Sequence, residues 1–164
     1  MSARARLFAI LAPRIFRAAG IRLLARIAAD AFGSPPPQRS TLDNFASFTA
    51  EHAATATRES AERLFSSACA LGSRLRAWLG VRTMAEAADV ARALYRMIGV
   101  DFRVEGAGGF VVESCFFSSR YTPGTCRLIS SLDAGLLAGL TGGERMVFTQ
   151  RITEGAAVCR GELR

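Results

Sequence analysis

Three reactive side chains lie along one predicted helix, in the sequence "CRLISSLDAGLLAGL". Cys126, Ser130 and Asp133 are spaced i, i+4 and i+7, so in a helix they project from one face within two turns. A thiol, a hydroxyl and a carboxylate are groups that act as nucleophiles or transfer protons. Gly135 and Gly139 lie in the same helix, where each costs about 1 kcal/mol relative to alanine. This cost predicts that a strand or a ligand approaches the helix backbone closely.

A second group of reactive side chains lies in the segment "VVESCFF". Period-2 alternation predicts a strand in which Glu113, Cys115 and Phe117 share one face. Two interpretations remain open. Either Glu113 is a partly buried base beside the Cys115 thiol, or the segment is an edge strand whose mixed face is solvated. A neighbouring carboxylate opposes ionisation of a thiol.

The cysteine pattern excludes two classes of protein. The chain has four cysteines and one histidine, with no CxxC pair, so neither a dense disulfide framework nor a four-ligand zinc site is expected. We expect reduced thiols, a cytoplasmic location, no metal and no cofactor. In "FTQRITEGAAVCRGEL", Gly155 turns the chain four residues before Cys159. We expect this turn to set Cys159 against the helix that carries Asp133.

Periodicity and capping signals predict a helical N-terminal half. A long helical region runs, with one or two breaks, from residue 40 to residue 80, with Trp78 on its buried face. Thr83 and Glu86 form a capping box that opens the next helix. The C-terminal half therefore begins where this pattern stops, close to residue 100.

The C-terminal half reads as strands around one helix. "VDFRVE" alternates apolar and charged residues, and "FVVESCFF" follows the "GAGG" turn as its antiparallel partner. Thr122 and Pro123 mark a helix start, and "RMVFTQRI" and "AAVCRGEL" form a last strand pair around "TEG". The sequence predicts an α+β domain: a helical N-terminal half plus a four-stranded, largely antiparallel sheet with one inserted helix.

The positive charge belongs to one end of the chain. The net charge is +7, and residues 1–40 hold seven of the 21 arginines but only one acid. The body is close to neutral, so nucleic-acid binding is not expected. We predict a basic amphipathic helix over 1–33, a Pro-rich linker over 34–39 and a single domain over 40–164.

Residues 1–33 leave three interpretations open. The helix docks on the domain, lies on an anionic membrane surface or a partner protein, or is a flexible arm. The second interpretation predicts a peripheral membrane location. Homo-oligomer formation also stays open.

One pattern of residues runs from Asp133 to Cys159. It consists of an Asp that opens a helix, a Gly six residues on, and then "TQ-x-I-x-EGA-x-x-C". In these residues the chain resembles the L-2-amino-thiazoline-4-carboxylic acid hydrolase family, over about 30 to 50 residues. More distantly it is similar to the 4-vinyl-reductase type of small-molecule-binding domain. That group includes zinc-bound sensors, but its usual Glu and Cys before the glycine are missing here, so metal binding is not expected.

The chain departs from the hydrolase pattern at several positions. Where the family has a Cys, this chain has Ser130, and where the family has an Arg, this chain has Phe148. The Asp-Phe pair of the family is replaced by Arg160-Gly161. Cys115 is the counterpart of the upstream strand cysteine of the pattern. Cys126, one turn before Ser130, is a candidate to replace the missing thiol.

The resemblance implies hydrolytic opening of a thiazoline ring, or of a similar C–N or C–S bond in a small cyclic amidine. On this interpretation Cys159 or Cys126 is the nucleophile, with Cys115 nearby, and Asp133 is the base or the orienting group. The predicted substrate-binding residues are Arg151, Arg127, Ser130 and Glu113, with either arginine anchoring a substrate carboxylate. The alternatives are a non-catalytic small-molecule-binding domain of the same superfamily, and an interaction protein that uses residues 1–33.

Overall fold

The predicted α+β architecture is confirmed by the computed structural model, which describes residues 3–106 and 108–164. These residues form six helices: α1 (Ala3–Ile15), α2 (Arg17–Phe32), α3 (Leu42–Ala53), α4 (Arg58–Leu79), α5 (Met84–Met97) and α6 (Pro123–Thr141). They also form four strands: β1 (Val100–Glu105), β2 (Gly109–Cys115), β3 (Met146–Gln150) and β4 (Cys159–Leu163). A 3₁₀ turn over Ile152–Glu154 links β3 to β4. The predicted "GAGG" turn between β1 and β2 contains Ala107, which lies outside the described residues.

Threonine hydroxyls begin four of the helices. The N-cap residues of α3, α4, α5 and α6 are Thr41, Thr57, Thr83 and Thr122, in that order. The hydroxyl of each accepts a hydrogen bond from a backbone N–H in the first turn of its helix. Each such bond satisfies a backbone donor that the helix itself leaves unpaired. The start of α6 is therefore fixed locally, with Pro123 as its first residue.

The sheet is antiparallel throughout, with strand order β1-β2-β4-β3. Helix α6 connects β2 to β3 at the far edge, and β4 then returns between them. Buried residues on all four strands form the sheet's part of the core: Phe102, Phe110, Val112, Met146, Cys159 and Leu163. These residues pack in the main hydrophobic core, and α6 is the inserted helix that the sequence predicts.

Glycines bring α6 into backbone contact with α4. A Cβ added at Gly135 would overlap the Phe65 carbonyl group, and one added at Gly139 would overlap the backbone of α4 from Cys69 to Ser73. Gly72 provides the matching gap on α4, since its Cβ would lie 3.0 Å from the Cα of Gly139. The partner that the sequence left open as a strand or a ligand is therefore a helix, and that expectation was wrong.

The segment predicted as one N-terminal helix forms two. The chain leaves the helical conformation at Phe16, whose ψ is 5°. Helix α2 buries Ile21, Ala25 and Ala28 against the domain, which favours the docking interpretation for this part. Contact with a membrane surface or a partner stays a prediction. Within the described residues, no helix has the length and apolarity needed to cross a membrane.

Trp78 is not on the buried face of α4, so that expectation was wrong. Its side chain is 58% exposed, because Leu79 takes the buried position at the end of the apolar stripe. The indole ring stands edge-on to Phe8 of α1, with ring centroids 6.3 Å apart.

We predict that Gly135→Ala lowers the free energy of unfolding by about 1–3 kcal/mol, although alanine is the better helix former. The added methyl group has no room against the α4 backbone. Urea denaturation measures the change. Gly124→Ala, in the first turn of α6, is the matched control because its Cβ would meet only the Thr122 hydroxyl at 3.8 Å. Equal effects of the two substitutions would contradict the tight helix contact.

Candidate functional site

A cavity of about 80 Å³ lies between α6 and the inner face of the sheet, and we refer to it as the α6 cavity. Helix α6 contributes Cys126, Ser130 and Asp133 to its wall, as the i, i+4, i+7 spacing predicts. Strands β2 and β4 contribute Cys115 and Cys159. The rest of the wall is mostly aromatic and aliphatic. The structure therefore brings all four proposed catalytic side chains to one cavity, while their catalytic role stays a prediction.

Arg151 lies beside this cavity, between α6 and β3. Its Nη1 donates to Ser130 Oγ at 2.7 Å and lies 3.7 Å from Cys126 Sγ. The guanidinium stacks on the Phe148 ring at 3.9 Å, a favourable cation–π contact. Ser130 Oγ in turn donates to the Cys126 carbonyl at 2.7 Å. Ser130 and Arg151, both predicted as binding residues, thus form one hydrogen-bonded pair at the cavity.

Asp133 is the acid of the α6 cavity, and it accepts a hydrogen bond from the Tyr95 hydroxyl at 3.0 Å. Burial raises the pKa of Asp133 from 3.8 to about 6, although the Tyr95 hydrogen bond and the Arg151 charge act in the opposite direction. Loss of hydration disfavours the carboxylate more than these two groups stabilise it. Near neutral pH the carboxyl group therefore exchanges its proton readily.

The thiols of Cys115 and Cys159 are neutral at physiological pH. Burial raises the pKa of Cys115 to about 11. It also raises the pKa of Cys159, although the Ile152 N–H donates to the Cys159 sulfur at 3.3 Å. A protonated thiol is a poor nucleophile. The electrostatics thus disfavour Cys159 as an activated nucleophile in this state of the protein.

Two of the predicted binding residues do not reach the cavity. Arg127 is exposed and forms an ion pair with Glu154. Glu113 is exposed and pairs with Arg103 at 2.6 Å. In each case the charged group is paired at the surface, and a binding role for these two residues stays a prediction.

A β-bulge explains the position of Glu113. Asp101 pairs with Ser114 whereas Phe102 pairs with Val112, which leaves Glu113 as an extra residue on β2. The bulge interrupts the period-2 alternation, so Cys115 faces the cavity while Glu113 faces solvent. The interpretation of Glu113 as a base beside the Cys115 thiol is therefore wrong.

Two tyrosines of the cavity wall are absent from the predicted site. Tyr95 comes from α5 and bonds Asp133, as described above; Tyr121 precedes α6, and its hydroxyl lies 2.5 Å from Thr49 Oγ1. Burial raises the pKa of both tyrosines, so both are neutral hydroxyls. The only sequence signal for Tyr95 is its place on the apolar face of α5, which does not distinguish it from an ordinary core residue.

The cavity side chains do not form a metal site. Over residues 3–106 and 108–164, no three His, Cys, Asp or Glu side chains lie close enough together to hold a metal ion. The cysteines and Asp133 are instead spread around the cavity wall.

A second cavity, of about 160 Å³, lies beneath α1 and α2, and we refer to it as the α1–α2 cavity. Its wall is apolar apart from Tyr95 and Asp133 and includes Phe8, Leu71 and Leu94. A space of this size and lining is large enough for an apolar group of about benzene size.

Comparisons of the chain with protein-family models, curated proteins and solved structures find no match. The resemblance to the hydrolase family stays a prediction that rests on the residues from Asp133 to Cys159.

We predict that Asp133→Asn raises the free energy of unfolding at pH 7.5 by about 3 kcal/mol and has little effect at pH 4. The pKa of this carboxyl group is higher in the folded chain than in the unfolded chain. The protonated group therefore stabilises the fold at pH values below the unfolded pKa. That stability is lost as the pH rises from about 4 to about 6. Urea denaturation at the two pH values measures the effect. Exposed Asp101→Asn is the control, and an effect of Asp133→Asn that is independent of pH would contradict the prediction.

Proposed function

We propose that this protein binds a small carboxylate-bearing molecule in the α6 cavity. One observation carries the proposal: Ser130, Asp133, Arg151 and three thiols converge on a cavity whose remaining wall is apolar. Sites for small molecules combine such apolar walls with a few polar groups that fix orientation.

Arg151 is the group that supports a carboxylate ligand. It is half-buried, and among residues 3–106 and 108–164 no carboxylate lies within 4.0 Å of it. Its guanidinium can therefore donate two hydrogen bonds to a ligand carboxylate. Burial strengthens such a charge-assisted hydrogen bond. The Ser130 hydroxyl accepts from Arg151 and donates to the Cys126 carbonyl, so it holds the guanidinium in place at the edge of the cavity.

The volume of the cavity limits the ligand. A dry cavity of about 150 Å³ accepts benzene, whereas the α6 cavity measures about 80 Å³. A ligand confined to this cavity has only a few non-hydrogen atoms. A larger ligand requires a neighbouring wall to move.

Ring-opening hydrolysis of a thiazoline or a similar cyclic amidine is the second candidate function. It follows the family resemblance, and the pKa of Asp133 near 6 favours it, because a group with such a pKa both accepts and donates protons at neutral pH. Since the Cys115 and Cys159 thiols are neutral, we infer that water attacks the amidine carbon. Asp133 takes one proton from this water as the C–O bond forms, and returns it to the leaving nitrogen or sulfur as the ring C–N or C–S bond breaks. The second proton of the water passes to the ring nitrogen as the carbonyl forms.

Turnover of 2-aminothiazoline-4-carboxylate separates the two functions. Hydrolysis predicts ring opening that Asp133→Asn abolishes and that Cys159→Ala retains in part. Loss of turnover in a folded Cys159→Ala protein would instead indicate covalent attack by the thiol. Saturable binding without turnover would leave the binding function alone.

For carboxylate binding, we predict that Arg151→Gln weakens the affinity for propionate and for 2-aminothiazoline-4-carboxylate at least tenfold. A hydrogen bond to a charged group contributes about 1.5–3 kcal/mol, which corresponds to this factor or more. Isothermal titration calorimetry measures the affinities. Arg127→Gln is the matched control, because it removes the same charge from an exposed position nearby. Equal losses in the two variants would show that only the overall charge matters and would contradict the site.

A further inference from the structure

The α6 cavity and the α1–α2 cavity are neighbours that share part of their walls. Five residues line both: Leu24, Tyr95, Ile98, Leu132 and Asp133. The partition consists of three aliphatic side chains and the hydrogen bond from Tyr95 to Asp133. The two spaces are therefore separated by side chains alone at these positions, and we expect rotation of these side chains to join them.

The two cavities differ in chemistry. The α6 cavity has Ser130 in its wall and Arg151 beside it, which suits an anionic group. The α1–α2 cavity is walled by aliphatic and aromatic side chains and meets polar groups only at the shared partition. The joined space is thus polar at one end and apolar at the other.

We propose that one amphiphilic ligand occupies both cavities, with a carboxylate held by Arg151, which Ser130 orients, and a hydrocarbon tail beneath α1 and α2. The proposal rests on the proposed function, because it uses the same carboxylate site. The volume of about 160 Å³ matches a tail of benzene size, on the order of six carbon atoms. The ligand class is therefore a short-chain carboxylic acid.

The break between α1 and α2 lies over the α1–α2 cavity, which the proposed tail occupies and which we now call the tail cavity. Phe16, at the break, and Leu23 line this cavity and are also 43% and 42% exposed, so the wall reaches the surface there. Gly20 also lines the cavity, and the end of Met97 packs closely against it, since a Cβ there would lie 3.2 Å from that methyl group. The tail can therefore enter at the junction of the two helices.

A tryptophan next to the tail cavity can report by its fluorescence whether a tail has entered. Trp78 is its single tryptophan, and it stands edge-on to Phe8, which lines the tail cavity. A tail that displaces Phe8 changes the surroundings of the indole ring. Trp78 fluorescence thus detects occupation of the tail cavity, independently of the calorimetric signal.

A series of straight-chain carboxylates from propionate to decanoate, titrated into the full-length protein, tests the proposal. We expect the affinity to rise about fourfold for each methylene added to the tail. The rise should level off once the tail has roughly six carbons. The Trp78 emission changes with the longer members only. 1-Hexanol binds more weakly than hexanoate, because it cannot pair with Arg151.

Two cavity-filling variants supply the structural control. Leu71→Phe on α4 and Leu94→Phe on α5 each place extra volume in the tail cavity. We expect both to remove the gain with chain length while the affinity for propionate is unchanged. Leu7→Phe, at a 59% exposed position of α1 outside the cavity wall, retains the gain.

The outcomes separate this proposal from the one on which it rests. If propionate binds and longer chains bind no better, or if both folded filling variants keep the gain, the tail site is wrong and the carboxylate site stands. If hexanol binds as tightly as hexanoate, the link between the two cavities is wrong. If no member of the series binds, the proposed function itself is overturned.

Discussion

The contact between the backbones of α4 and α6 determines where the candidate site lies. Gly72, Gly135 and Gly139 remove the side chains that would otherwise separate the two helices. Leu137 and Leu140 are then fully buried, and the rotation of α6 about its axis is fixed. Because the polar face of α6 is set by this rotation, Cys126, Ser130 and Asp133 line the cavity above the sheet instead of facing solvent.

The site is costly for the fold that contains it. A buried acid with a raised pKa and two adjacent cavities all reduce stability relative to a filled apolar core. Tyr95 and Arg151 offset part of the cost at Asp133, but burial still dominates its pKa. The acid, the cation beside it and the two cavities are the features that the proposed binding function uses, whereas stability alone favours a filled apolar core.

Local signals made most of the fold predictable from the sequence. The Thr83–Glu86 capping box and the Thr122–Pro123 pair depend on neighbours only a few residues away. The spacing along α6 likewise gave the face that lines the cavity. The failures at the site and at the α6 glycines involve information that is not local. A bulge opposite Asp101 moves Glu113 to solvent, Tyr95 reaches Asp133 across 38 residues, and the partner of the α6 glycines is a helix 60–70 residues earlier in the chain.

The most direct test of the account is a pH titration of the Asp133 carboxyl carbon by ¹³C nuclear magnetic resonance, with the signal assigned by its loss in Asp133→Asn. The account predicts a pKa of about 6, because α6 buries this carboxyl group in a cavity whose wall is mostly apolar. A pKa near 3.8, the ordinary value for an aspartate, would show that the group is hydrated and would contradict the placement of α6 on which the site depends.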